Sequence, residues 1–76
     1  MTPNDYDLQT EIQKIFSDVL NLTVGVNQDF FAAGGDSLAV EQVLTAISAR
    51  LSIDVPGWAL LDHPSASALA AFLSDR

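Results

Sequence analysis

The stretch Gly34-Gly35-Asp36-Ser37 stands just before an apolar run with helical spacing, and its residue types point more directly to chemistry than any others in the chain. A serine hydroxyl at a helix entrance has three uses. It can cap the helix by accepting a hydrogen bond from a first-turn N–H. It can be a nucleophile, if a base within about 3 Å takes its proton. It can also be the point where another enzyme attaches a group. The glycines bear on the choice. One suits a turn with positive φ, but two in a row also clear side chains from around Ser37 and let a bulky partner approach.

The nucleophile reading has a literal match, because Gly35-Asp36-Ser37-Leu38 spells the "GDSL" tag of one esterase class. The single histidine, His63, lies in Asp62-His63-Pro64, and no Asp-x-x-His pair completes that class's arrangement. A four-residue match is weak alone, and the fold that carries such a triad needs far more chain than this. His63 reads as a structural residue beside the Pro64 turn.

Seventy-six residues make one domain. A chain of this size buries only about 60% of the surface it exposes unfolded, so its core is modest. Apolar residues make up 49% of the chain, enough for a globule rather than a disordered segment. Without cysteine there are no disulfides and no thiolate metal sites, and the chain owns no thiol. Ten acidic residues against three basic ones give a formal net charge of −7. Such a surface repels nucleic acid and anionic membranes and favours partners with basic patches. No apolar run approaches the ~20 residues that span a bilayer, and the N-terminus lacks a basic-then-apolar signal pattern. The expectation is a cytoplasmic, monomeric domain with neither nucleic acid nor membrane as partner.

Leu8, Ile12, Ile15, Phe16 and Val19 share one stripe, with Gln9, Gln13, Lys14 and Asp18 outside it, which predicts a helix over 7–20. Asp5 or Asp7 can cap it, and either carboxylate suits its positive end. A connection over 21–36 follows, longer than the usual helix–helix loop, with Leu22, Val24, Phe30 and Phe31 expected to pin it to the core. The second helix is expected over 36–51, with Val40, Val43, Leu44, Ile47 and Leu51 on a stripe about 100° wide. Ile53 and Val55 alternate with Asp54 before the Pro56-Gly57 turn. A short helix over 58–62 ends before Pro64, and Ser65 opens a last helix over 65–74 that carries Ala66, Leu69, Ala70 and Leu73 inward. The fold expected is all-α, a small four-helix bundle of three main helices and one short one.

Asp29-Phe30-Phe31, Gly34-Gly35-Asp36-Ser37-Leu38, Val55-Pro56, Leu60-Leu61-Asp62-His63-Pro64-Ser65 and Leu69-Ala70 occur in an order and at spacings that resemble a peptidyl carrier protein. That is the thiolation domain of nonribosomal peptide synthesis, in the acyl-carrier-like superfamily, and the resemblance covers about residues 8–74. It implies that Ser37, between Gly35-Asp36 and Leu38, receives 4′-phosphopantetheine from coenzyme A through a phosphopantetheinyl transferase. Asp36, beside its plainer reading as a helix cap, would help position the transferase and its magnesium ion. The resemblance further implies a non-catalytic carrier that holds an aminoacyl or peptidyl group as a thioester. An adenylation enzyme would load it, and condensation, tailoring or ketosynthase-type enzymes would receive from it. The residues agree with this chemistry. A carrier needs a thiol that this chain lacks, and Ser37 needs no base in cis when the transferase supplies one. A phosphodiester there would sit at a helix N-terminus, which favours an anion.

Leu38 lies about 160° around the second helix from Val40, on the outer face with Gln42, Thr45 and Ala49. With Glu41 at its flank, that face is small, neutral and partly apolar, so Leu38, Glu41 and Gln42 are candidate partner contacts. The alternative for Leu38 is that it folds onto Phe30 or Phe31. Glu41 is the single acid between Ser37 and Leu51, whereas carriers of the fatty-acid type usually bear several on this helix. This favours a peptidyl carrier over an acyl carrier of a polyketide or fatty-acid pathway. Trp58, after Pro56-Gly57, is a further candidate contact, against the tendency of a lone tryptophan to be core. Ala33 and Ala66 replace larger apolar residues usual in the family, so thinner packing is expected at both. Almost nothing lies outside the resemblance, which suggests a discrete carrier.

Overall fold

The computed structural model describes residues 5–74, with side chains from residue 7 onward. Within them the chain forms α1 (Asp5–Leu20), α2 (Ser37–Leu51), α3 (Gly57–Asp62) and α4 (Ala66–Ser74), and no strand. The all-α bundle of three main helices and one short one is thus the observed architecture. α1 packs on α4 and on α2, and α3 rests on α2.

The bundle exists because each helix has one apolar stripe to hide. On α1 that stripe is Leu8, Ile12, Ile15 and Phe16, all buried, with Val19 partly buried behind them. α1 starts at Asp5, two residues earlier than the apolar spacing indicates, because the spacing registers only from the first core residue, Leu8. Asp7 therefore lies within the first turn, where a carboxylate suits the helix dipole, and the side chain of Asp5 lies outside the described residues. α4 buries Ala66, Leu69 and Ala70, while Leu73 is only partly buried. Ala66 has no exposed surface, so its small side chain lets the helix start sit close against the core.

The stripe on α2 differs from the expected one. Ala39, Val43 and Ile47 are the buried line, and Val40, Leu44 and Leu51 flank it half-buried. The reason lies in α3, which spans only six residues and covers that flank of α2 incompletely. Helix boundaries also differ by one residue from the spacing where the cap itself is not helical. Asp36 is the N-cap of α2 and Ser65 stands outside α4. α3 begins at Gly57 rather than Trp58, because the Pro56 carbonyl already accepts the Ala59 N–H at 3.0 Å.

The long connection is fastened by Val24 and Phe30, both fully buried, and by the partly buried Phe31. Leu22 does not join them and is 44% exposed. Asn21 adopts a left-handed φ of 56° at the end of α1, and the Leu22 N–H donates back to the Ser17 carbonyl at 3.2 Å. That reversal turns the Leu22 side chain outward. Polar bonds then fix the loop segment that follows. Gln13 Nε2 donates to the Val24 carbonyl at 2.9 Å, and the Val24 N–H donates to Ser17 Oγ at 3.1 Å. Further on, the Phe30 N–H donates to the Pro64 carbonyl at 2.7 Å and the Ser67 N–H to the Val26 carbonyl at 2.8 Å. No helix among the described residues is long and apolar enough to cross a membrane.

Candidate functional site

The approach to Ser37 is built from two caps set back to back. Asp29 Oδ1 accepts from the N–H groups of Phe31 at 2.8 Å and Ala32 at 3.0 Å, which starts a single tight turn. Gly34 ends that turn at φ 115°, with its N–H on the Phe31 carbonyl at 3.1 Å and the Gly35 N–H on the Phe30 carbonyl at 3.0 Å. This is the bonding pattern of a Schellman stop, in which a positive-φ residue satisfies the last carbonyls of a turn. Only glycine adopts that φ without strain. One residue later Asp36 opens α2. Its Oδ1 accepts the Ala39 N–H at 2.9 Å and its carbonyl accepts the Val40 N–H at 2.9 Å.

Asp36 and Ser37 thereby divide the roles that the sequence left open between them. Asp36 is the cap, in an extended conformation suited to that position. Ser37 is the first helical residue, exposed, and its hydroxyl hydrogen-bonds to no described residue. The capping reading of Ser37 is therefore set aside. The backbone N–H groups of Ser37 and Leu38 likewise find no partner among the described residues, as expected of first-turn donors.

Beside this hydroxyl lies an open cleft of about 420 Å³, lined by Phe31, Asp36, Ser37, Val40, Gly57 and Leu61. Its walls are apolar, and α3 supplies one side through Gly57 and Leu61, four residues apart and on one face of the helix. Leu61 escaped the sequence reading. The pair Leu60-Leu61 gave no hint of which leucine turns inward, and it is Leu60 that is buried while Leu61 is 63% exposed.

The other candidate residues are placed around the cleft rather than in it. Leu38 is 62% exposed and points away from the core, so it does not fold onto the loop phenylalanines. Glu41 and Gln42 border a second, shallower depression along the outer face of α2, with Thr45, Ala46, Ala49 and Arg50. Trp58 is 54% exposed and lies edge-on to Phe72 of α4, ring centroids 5.5 Å apart. His63 stacks on the other part of that contact, 4.6 Å from Phe72 with the rings 21° from parallel, while its N–H donates to the Ala59 carbonyl at 2.9 Å. It closes α3 and packs against α4, away from the residues that line the Ser37 cleft. No group of three or more potential metal ligands occurs among the described residues.

Residues 10–73 match the family model described as the phosphopantetheine attachment site. Tyrocidine synthase 3 of Brevibacillus parabrevis is 36% identical over 69 residues, 90% of this chain and 1% of that protein. Isonitrile lipopeptide synthase of Mycobacterium tuberculosis is 42% identical over 67 residues, 87% of this chain and 3% of that protein. The chain therefore spans only a few per cent of the length of these relatives. Among solved structures, a chain of the complex of the phosphopantetheine transferase Sfp with coenzyme A and a peptidyl carrier protein shares the fold. It aligns with TM-score 0.84 at 23% identity, covering 100% of this chain and 96% of that one. The structure of McyG A-PCP complexed with phenylalanyl-adenylate aligns with TM-score 0.81 at 29% identity, over 90% of this chain and 11% of that one.

Proposed function

This chain belongs to the phosphopantetheine-attachment family, and from that membership we propose that Ser37 is the residue that carries the arm. The domain is a phosphopantetheine-bearing carrier, homologous to the carrier domains of nonribosomal peptide synthetases. One observation supports Ser37 above the rest: its hydroxyl is exposed and free of hydrogen bonds to the described residues, because Asp36 does the capping.

The residues present fit the group. The open N–H donors of Ser37 and Leu38 and the positive end of α2 favour the phosphodiester anion. Asp36 holds those donors in helical geometry through its bonds to Ala39 and Val40. Phe31, Val40 and Leu61 give the base of the arm an apolar wall beside the attachment atom. When bound, phosphopantetheine supplies the thiol that a chain without cysteine lacks. In priming, the Ser37 Oγ–phosphorus bond forms as the pyrophosphate bond of coenzyme A breaks. Adenosine 3′,5′-bisphosphate leaves, and the hydroxyl proton goes to a base of the transferase.

Primed in this way, the domain can hold an aminoacyl or peptidyl group as a thioester on the thiol of the arm. An adenylation enzyme loads that group onto the arm, and condensation, tailoring or ketosynthase-type enzymes receive it. Leu38, Glu41 and Gln42 on the outer face of α2, and Trp58 on α3, are the surface we assign to those contacts. Their exposure and the single acid on that face support this. Incubation with coenzyme A and a broad-specificity phosphopantetheinyl transferase, followed by intact mass measurement, tests the reading. One phosphopantetheine should be added to the native chain and none to Ser37→Ala. An unchanged mass of the native chain overturns the carrier reading, and addition to the variant overturns the choice of Ser37.

A further inference from the structure

Phe30 touches the attachment motif twice, through its backbone and through its ring. Its carbonyl accepts the Gly35 N–H at 3.0 Å, which closes the turn that Gly34 reverses. A Cβ placed on Gly35 would run into the Cδ2–Cε2 edge of the Phe30 ring and lie 2.9 Å from the Phe30 carbonyl oxygen. Gly34 differs in kind, since a Cβ there meets nothing within 4 Å and only its φ constrains it.

Phe30 has no room to yield. It is fully buried, its ring sits 4.8 Å from that of Phe16 at a tilt of 53°, and Phe31 closes on it edge-on at 5.4 Å. Its N–H is held by the Pro64 carbonyl at 2.7 Å. One side chain and its peptide groups thus connect α1, the turn before α4, and the glycine two residues before Ser37.

We infer that Phe30 is the positioning residue for Ser37 and acts through Gly35, its ring being the stop on which the motif backbone rests. This rests on the reading of Ser37 as the attachment residue. Only Asp36 separates the stop from Ser37, and the bonds of Asp36 to Ala39 and Val40 tie it to the first turn of α2, so that the two move together. A displacement forced at Gly35 therefore passes on to the Ser37 hydroxyl. The transferase must align that oxygen with a phosphorus atom, and a misplacement of about 1 Å can cost about 100-fold in rate.

The test compares priming kinetics of four chains: native, Gly35→Ala, Phe30→Leu with Gly35→Ala, and Gly25→Ala as control. A Cβ on Gly25 meets only Gln28 Cβ at 4.0 Å, so that variant should prime at the native rate. Gly35→Ala, with its helical circular dichroism retained, should lose about tenfold or more in kcat/KM. Adding Phe30→Leu, which removes the flat ring edge but leaves the carbonyl contact, should restore part of that loss. Native kcat/KM for Gly35→Ala overturns the inference, and so does a double variant no faster than the single one. If Gly35→Ala does not fold, the Ser37 amide resonance of Phe30→Leu alone decides. A shift from its native position, with slowed priming, supports the stop, and an unmoved resonance at native rate overturns it. Failure of the native chain to be primed would instead strike the Ser37 reading itself.

Discussion

Two helices of this protein begin beside a serine, and the two serines are used in opposite ways. At α4, Ser65 Oγ accepts the Ala68 N–H at 3.1 Å and lies 3.3 Å from Ser67 Oγ, which in turn donates to Asn27 Oδ1 at 2.7 Å. Its carbonyl accepts the Leu69 N–H at 2.9 Å. Ser65 Oγ is thus committed to the first turn of α4, and Ser67 Oγ ties that turn to Asn27 of the long loop. At α2 the same residue type stands one position further in, with Asp36 occupying the cap. The difference is a single step in register. A serine at the cap is consumed by the fold, whereas a serine at the first helical position behind an aspartate cap keeps its hydroxyl free of bonds to the described residues.

The comparison breaks most visibly if the two serines are exchanged for alanine one at a time. Ser37→Ala should abolish phosphopantetheine addition, read by intact mass, and leave the melting temperature within about 2 °C of native, since no hydrogen bond is lost. Ser65→Ala should do the reverse. Priming should stay native, while loss of the cap costs about 1 kcal/mol, or about 4–8 °C in a domain of this size. A Ser37→Ala chain that melts as low as Ser65→Ala would show that Ser37 carries structural load after all.

Asp36 sharpens the same contrast, because it caps α2 and stands directly before the proposed attachment residue. Asp36→Ala should lower stability by about 1 kcal/mol and also slow priming, since the first turn of α2 loosens around the open N–H groups. Asp36→Asn keeps an equally good cap and should restore stability to within a few tenths of a kcal/mol. Denaturant midpoints measured beside priming rates separate the two roles. Priming that stays slow in a stable Asp36→Asn isolates the carboxylate charge, and priming that recovers assigns the effect to capping alone.

Much of this was legible from residue order. The stripes on α1 and α4, the cap at Ser65 and a cap at the Asp36-Ser37 step follow from periodicity and capping chemistry, which act over one or two turns. What escaped depends on objects the local sequence does not contain. Periodicity on α2 gave the direction of the stripe but set its centre near Val40, because the depth of burial on each flank depends on how far α3 reaches. Leu22 was expected inside, yet a left-handed Asn21 sends it out, a backbone reversal that its apolar character does not announce. Leu61 was hidden by its neighbour Leu60. The value of Gly35 as the place where a ring meets the backbone could not be read either, since Phe30 and Gly35 are joined by a turn whose closure only the fold fixes.

The smallest expected effect concerns the far end of α2. Arg50 Nη1 reaches Asp18 Oδ2 on α1 at 3.2 Å, with the two side chains 45% and 71% exposed. An exposed pair of this kind contributes about 0.2–1 kcal/mol, and salt screens it. If the start of α2 is set locally, by the Gly34 stop and the Asp36 cap, the charge contact at its other end should not influence Ser37. Asp18→Asn should then lower the urea midpoint slightly at low salt, lose that difference at high salt, and leave the priming kcat/KM at its native value. A variant whose priming slows while its urea midpoint stays put would show that the tilt of α2 as a whole, anchored at Arg50, reaches the Ser37 hydroxyl. The two-cap account of the site would then give way to one in which the helix moves as a lever.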